Sequence, residues 1–246
     1  MKKTGLSLAL AAALGLGMTA CTSAEGPSPG NAEASTAAST QDNPFMVESE
    51  LPLQYPHFDR VKDEHFAPAF DAGMAEQLEE IEAITSNSEA PTFENTIIAL
   101  ENSGQVLNRA RAVFFNLVGT DTNDARKAIQ ADYSPKFAAH RDAIMLDGAL
   151  FERIKALHDQ RDSLGLDAEG VRLVERYYTD FVRSGANLSD EDKARLRDMN
   201  AELAKLGTQF DQNVFNEVNV SAVVFDRAGE LAGSTDAQVA AAAAVA

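Results

Sequence analysis

"DEHFAPAFDAGMAEQLEEIEAIT", residues 63–85, decides the fold, because its large apolar residues recur at a single spacing. Phe66, Phe70, Met74, Leu78, Ile81 and Ile84 follow one another at steps of three or four residues, which is one stripe of an amphipathic helix. Glu76, Gln77, Glu79, Glu80 and Glu82 lie largely off that stripe. Proline is tolerated only in a first turn, so Pro68 places the start near Asp63–His65. The turn formers of "SNSEAP", residues 86–91, close the helix.

The same region, widened to "PHFDRVKDEHFAPAFDAGM" (56–74), also collects His57, Asp59, Asp63, Glu64, His65 and Asp71, residue types that hold zinc or move protons. A zinc site needs three or four ligands converging on a point, commonly with two histidines one helical turn apart. The four histidines, His57, His65, His140 and His158, include no such pair, and no H-E-x-x-H occurs. His65 and Asp71 are six apart and would point to different sides of a helix. The expectation is that Asp63 and Glu64 stabilise a helix N-terminus and that no metal is bound here.

Helical periodicity continues through the rest of the chain. "PTFENTIIALENSGQVLNRARAVFFNLV" (91–118) reads as one helix capped by Thr92 and weakened by Gly104. A third pattern runs from Asp124 to Leu146, with a kink expected at Pro135. A fourth, short helix ends at Gly165, and a fifth ends at Gly185. The sixth pattern is the most regular. Ser189 with Asp192 forms a capping-box variant, and Leu196, Met199, Leu203, Leu206, Phe210 and Val214 form its stripe. "VNVSAVVFDRAGE" (218–230) turns β-branched, which predicts a strand at 218–226, and a last helix is expected from a Ser234 cap. Short connections between abutting helices predict a mainly α fold, an antiparallel helical array with that short C-terminal strand. A lone strand without a partner, and a last helix with no stop signal, suggest that the chain ends before its fold does.

Composition limits the partners. The 246 residues carry 21 basic and 38 acidic side chains, a formal charge of −17, which repels nucleic acid. Cys21 is the single cysteine, so no internal disulfide and no Cys-rich zinc site can form. Lys2 and Lys3, the apolar "GLSLALAAALGLGM" and the small residues of "MTAC" resemble a bacterial lipoprotein signal over residues 1–20, in which Cys21 takes the lipid after cleavage. Residues 21–44 hold nothing more apolar than Ala after Cys21 and are expected to be a disordered tether. Residues 45–246 then form the helical body. Thr22, rather than Asp, after the cysteine points to a periplasmic protein anchored in the outer membrane.

Catalytic motifs within the body are lacking. No G-x-S-x-G or phosphate loop occurs there, and Glu175 and the run Ser189–Asp192, acid–base candidates by residue type, are explained by solvated helix faces. "FF" at 114–115 and "YY" at 177–178 are expected in the core rather than as ligand platforms.

Long runs nevertheless carry a resemblance. "NPFMVESELPLQYPHFDRVKDEHFAPAFDAGMAEQLEEIEAI", "PTFENTIIALENSGQVLNRARAVFFNL", "ALFERIKALHDQRDSLGLDAEGVRLVERYYTDFVRSGANLSDEDKARLRDMNAELAKLGTQF" and "LAGSTDAQVAAAA" together resemble the N-terminal part of bacterial peptidyl-dipeptidases of the thimet oligopeptidase-like zinc metallopeptidase family. The resemblance implies a larger, two-lobed helical peptidase acting on short peptides. Its zinc is held by an H-E-x-x-H motif and a downstream glutamate in a C-terminal catalytic half that this chain lacks. It brings no catalytic or metal residue to any position here, and the chain by itself is expected to be inactive. The alternative expectation is a non-catalytic helical lipoprotein that binds peptides or a protein partner.

Overall fold

The computed structural model describes residues 42–221 and 231–243. The expected signal and most of the tether lie outside the described residues. So does most of the strand expected at 218–226, while Val218–Val220 are helical. The described residues are mainly α, as predicted from periodicity.

Helix α1, Phe66–Thr85, follows a 3-10 turn at Asp63–His65, where Pro68 required it to start. The second pattern divides. It opens as a π-helix, Phe93–Ile98, capped by Thr92 accepting from Asn95 N, and continues into the single turn α2, Ala99–Glu101. Gly104 then breaks the helix instead of merely weakening it. Its φ of 71° is left-handed, its N–H donates to Glu80 Oε2 at 2.7 Å, and α3, Gln105–Thr120, begins after it. Helix α4, Asp124–Met145, contains Pro135 without interruption. Helix α5 (Gly148–Asp159) stops earlier than expected, and a 3-10 turn at Arg161–Ser163 fills the interval to Gly165.

Helix α6, Ala168–Ser184, ends at Gly185 with a φ of 101°, and α7, Asp190–Val220, starts from the Ser189 cap. Helix α8, Asp236–Ala243, is capped by Thr235 rather than Ser234. Thr235 Oγ1 accepts from Gln238 N, and Gln238 Oε1 accepts from Thr235 N, a reciprocal pair that Ser234, one residue earlier, does not form.

Neighbouring helices run antiparallel. Gln77 meets Ser103 and Phe66 meets Phe114 across α1 and α3. Across α5 and α6, Phe151 stacks on Phe181 and His158 on Tyr178. Two apolar clusters result. Phe66 and Phe70 join Leu107, Phe114, Tyr133 and Phe137 at one end of α1, with the Phe70 ring 5.3 Å and 4.9 Å from Phe114 and Phe137 in edge-on contacts. Ile81 and Ile84 at its other end join Ile97, Leu150, Ile154, Leu157, Val174 and Phe181.

Helix α7 adds nothing to either cluster. It lies along α4 through polar groups: Lys193 Nζ donates to Leu146 O at 3.2 Å, Asn200 Nδ2 to Asp142 Oδ1 at 2.8 Å, Thr208 Oγ1 to Ser134 Oγ at 2.7 Å, and Gln212 Nε2 to Lys127 O at 3.1 Å. The partners fall in reverse order along α4, so this pair is antiparallel too. The apolar stripe of α7 faces the other way. Met199, Leu203, Leu206, Phe210 and Val214 are all exposed, Leu203 by 68% and Phe210 by 67%. That inverts the ordinary disposition of an amphipathic helix.

Candidate functional site

The residues of the opening stretch are engaged in local structure. Asp63 Oδ1 accepts from Arg126 Nε and Asp63 Oδ2 from Asn123 Nδ2, each at 2.7 Å, which fastens the start of α4 to the turn before α1. Glu64 pairs with Lys62 at 3.7 Å, and His65 Nδ1 accepts from Lys62 N at 3.1 Å. His57 lies 3.8 Å from Asp59, and Asp71 is exposed on α1.

The other two histidines are elsewhere. His140 is buried with Nε2 2.7 Å from Gln77 Oε1, and the His158 ring stacks on Tyr178 at 3.9 Å. Among the described residues no three His, Cys, Asp or Glu side chains are grouped so as to hold a metal ion. The described residues therefore offer no set of ligands for zinc. Glu175 is taken up by Arg172 at 3.2 Å and Arg161 at 3.5 Å, and Ser189 by its cap. Cys21 lies outside the described residues.

A trough of about 590 Å³ lies between α4, α6 and α7, lined by Arg141, Met145, Tyr177, Asp180, Arg183, Ser184, Leu196 and Asn200. A second hollow of about 370 Å³ adjoins it, sharing Tyr177 and Asp180 and reaching Glu101. Tyr177 donates to Glu101 Oε1 at 2.8 Å. Burial first, and that carboxylate second, push its phenol above the ordinary value, so it stays neutral. Asp180 faces Arg176 at 3.6 Å. Arg141 and Arg183 make no ion pair among the described residues, and Arg141 donates only to Ser184 Oγ, at 3.4 Å.

Tyr177 and Tyr178 are both half-buried and pack against the Phe151 cluster, as expected, and Tyr177 also lines the trough; of the other pair expected in the core, Phe114 is buried and Phe115 is exposed. Arg141 and Arg183 went unremarked in the sequence. Two lone arginines on different helices carry no pattern until the helices pack.

Comparison with known proteins gives a consistent set of relatives. No family model matches the chain. It is 42% identical over 204 residues to dipeptidyl carboxypeptidase of Escherichia coli, covering 83% of this chain and 30% of that protein. It is 44% identical over 191 residues to dipeptidyl carboxypeptidase of Salmonella typhimurium, covering 78% and 28%. Oligopeptidase A of Escherichia coli is 24% identical over 201 residues, covering 81% and 29%. The chain thus spans less than a third of the length of these curated relatives.

Proposed function

We propose, from the premise that this chain belongs to the thimet oligopeptidase-like peptidases, that it forms the helical scaffold of a longer peptidase that hydrolyses short peptides. The observation that supports this is the inverted α7. A helix that spends its polar side on α4 and leaves five large apolar residues in water is a helix awaiting a second packing surface. The relatives have the length to supply one, since the chain covers under a third of each. Zinc, in this reading, is held by residues of that further length and none in the described residues.

The export signal completes the proposal. Cys21 carries the lipid, residues 21–44 act as the tether, and the body works in the periplasm from the outer membrane. A Cys21→Ser variant should lose label from radioactive palmitate and move to the soluble fraction. Unchanged labelling and fractionation would refute the anchor.

A chimera tests the peptidase reading. The matched residues of Escherichia coli dipeptidyl carboxypeptidase are replaced by those of this chain, and peptide hydrolysis is followed with and without chelator. Chelator-sensitive activity is expected from the chimera and none from this chain alone. A folded but inactive chimera, or chelator-sensitive hydrolysis by these 246 residues alone, would overturn the proposal.

A further inference from the structure

Ahead of α1 the chain makes a loop, residues 47–58, that keeps its apolar side chains in water. Val47, Leu51, Leu53, Tyr55 and Phe58 are all exposed, Tyr55 by 61% and Leu53 by 101%. The exposure of Leu53 is built in. It lies in a 3-10 turn at Pro52–Gln54, where Leu53 and Gln54 are both left-handed, with φ of 58° and 56°. That region is costly for residues other than glycine, because Cβ crowds the following carbonyl. The turn is braced all the same. Ser49 Oγ donates to Tyr55 O at 2.6 Å and accepts from Leu51 N at 3.2 Å, and Gln54 N donates to Leu51 O at 2.9 Å. An apolar hollow of about 200 Å³ opens beside the loop, walled in part by Phe45, Val47, Pro56, Val61 and Val113, and Leu53 does not enter it. Scattered exposed apolar residues are ordinary, but a strained turn that holds a leucine outward among four more is not.

We propose that this loop dips into the surface of a zwitterionic lipid bilayer and so fixes how the body sits on the membrane. The proposal rests on the reading of Cys21 as the lipid anchor. Lipid on Cys21 leaves residues 22–41 as all that separates the bilayer from Asp42, the first described residue, and at full extension that stretch cannot exceed about 70 Å. Val47 follows Asp42 by five residues, so along the chain the loop is the exposed apolar surface that the anchor keeps nearest to lipid. A contact too weak to hold a free protein becomes populated once the anchor has made it intramolecular. The side chains suit the interface. The Tyr55 and Phe58 rings lie 5.6 Å apart, and tyrosine offers an apolar ring with a hydroxyl for the headgroup level. Glu48, Glu50 and Asp59 are exposed on the same loop and its edge, which disfavours anionic headgroups and leaves zwitterionic ones as the match. Among the described residues no helix is long and apolar enough to cross a membrane, so the contact is one that lies on the bilayer.

Tryptophan is absent from the chain, so Leu53→Trp places a single indole at the tip of the loop. The mature lipidated chain carrying it is reconstituted into phosphatidylcholine vesicles, with and without bromine on the acyl chains. The indole emission should lie to the blue of its position in water, and brominated lipid should quench it about twofold or more, as for a group seated in the headgroup and acyl boundary. Quenching should be weaker in brominated phosphatidylglycerol. Adding Leu51→Gln and Tyr55→Gln together should return the indole to water while the anchor still holds the protein on the vesicle, with unchanged thermal melts because both side chains are exposed. Red, unquenched emission would overturn the proposal, as would quenching indifferent to the double change or equally strong in phosphatidylglycerol. Blue emission without quenching would overturn it too, by showing that a protein surface covers the loop. Palmitate labelling of the same preparation separates the two readings. A labelled chain whose indole stays in water sinks the loop contact and leaves the anchor standing, and an unlabelled chain sinks both.

Discussion

Arg153 is a buried cation with no carboxylate against it. Its guanidinium donates to Asn87 O at 3.0 Å, Glu89 O at 3.2 Å, Thr96 Oγ1 at 3.3 Å and Asn95 Oδ1 at 3.0 Å, and so binds the loop after α1 to the π-helix that follows. Truncation would leave carbonyls and a hydroxyl without donors in a dry place, which costs roughly 3 kcal/mol. Arg153→Ala should therefore melt about 10 °C lower by circular dichroism. Arg153→Lys, keeping charge but not the spread of donors, should lie between; a lysine variant equal to wild type would show that charge alone suffices. His140 carries a second residue-scale prediction. Its Nε2 donates to Gln77 Oε1, its Nδ1 is buried without a partner, and burial first, then Arg111, hold its pKa below 6.5. The folded protein thus prefers the neutral ring. Its contribution is complete above the unfolded value of about 6.5 and is lost as pH falls through the depressed folded value. The drop in melting temperature between about pH 7.5 and about pH 5.5 should be larger in wild type than in His140→Gln, which keeps an amide donor for Gln77. Equal drops would remove His140 from the acid response.

At the scale of the helix, α7 separates two uses of side chains that sequence reading treats as one. Replacing Leu203, Leu206 and Phe210 together by Gln should leave the isolated body's melting temperature within about 2 °C, since exposed positions contribute little. Asp142→Ala, which touches only the polar seam with Asn200, should lower it more. In the chimera the order should reverse, with the triple change abolishing hydrolysis. A triple variant that unfolds the isolated body would mean the stripe is already covered. This helix also marks what the sequence could tell. Its existence, its Ser189 cap and the Gly185 stop before it were all legible, because caps and left-handed glycines are local chemistry. Which face it buries was not. Periodicity shows that a stripe exists and is silent on whether its cover belongs to the same residues. The break at Gly104 was missed for a related reason: the N–H of Gly104 is satisfied by Glu80, a long-range partner no window of sequence contains. The Arg141–Arg183 trough is a product of packing three helices and had no sequence signal at all.

For the whole molecule, charge and apolar surface oppose one another. A formal charge of −17 pushes copies apart, while the stripe of α7, with Phe215 and Val220 also exposed beyond it, draws them together. Repulsion between exposed charges is screened over roughly 10 Å at 0.1 M salt and over about 3 Å at 1 M, whereas apolar burial is not weakened by salt. Residues 42–246, without the lipid-bearing segment, should accordingly sediment as a monomer at low ionic strength and associate as salt or concentration rises. That is the opposite of the salt dependence an ion-paired interface would give. The Leu203, Leu206 and Phe210 to Gln variant should stay monomeric under the same conditions, because it removes the attraction and leaves the charge untouched. A free-standing helical lipoprotein would remain monomeric throughout, with or without the substitutions. Association that persists undiminished in the triple variant would locate the adhesive surface away from α7, and with it would go the physical reason for expecting a further lobe to dock there.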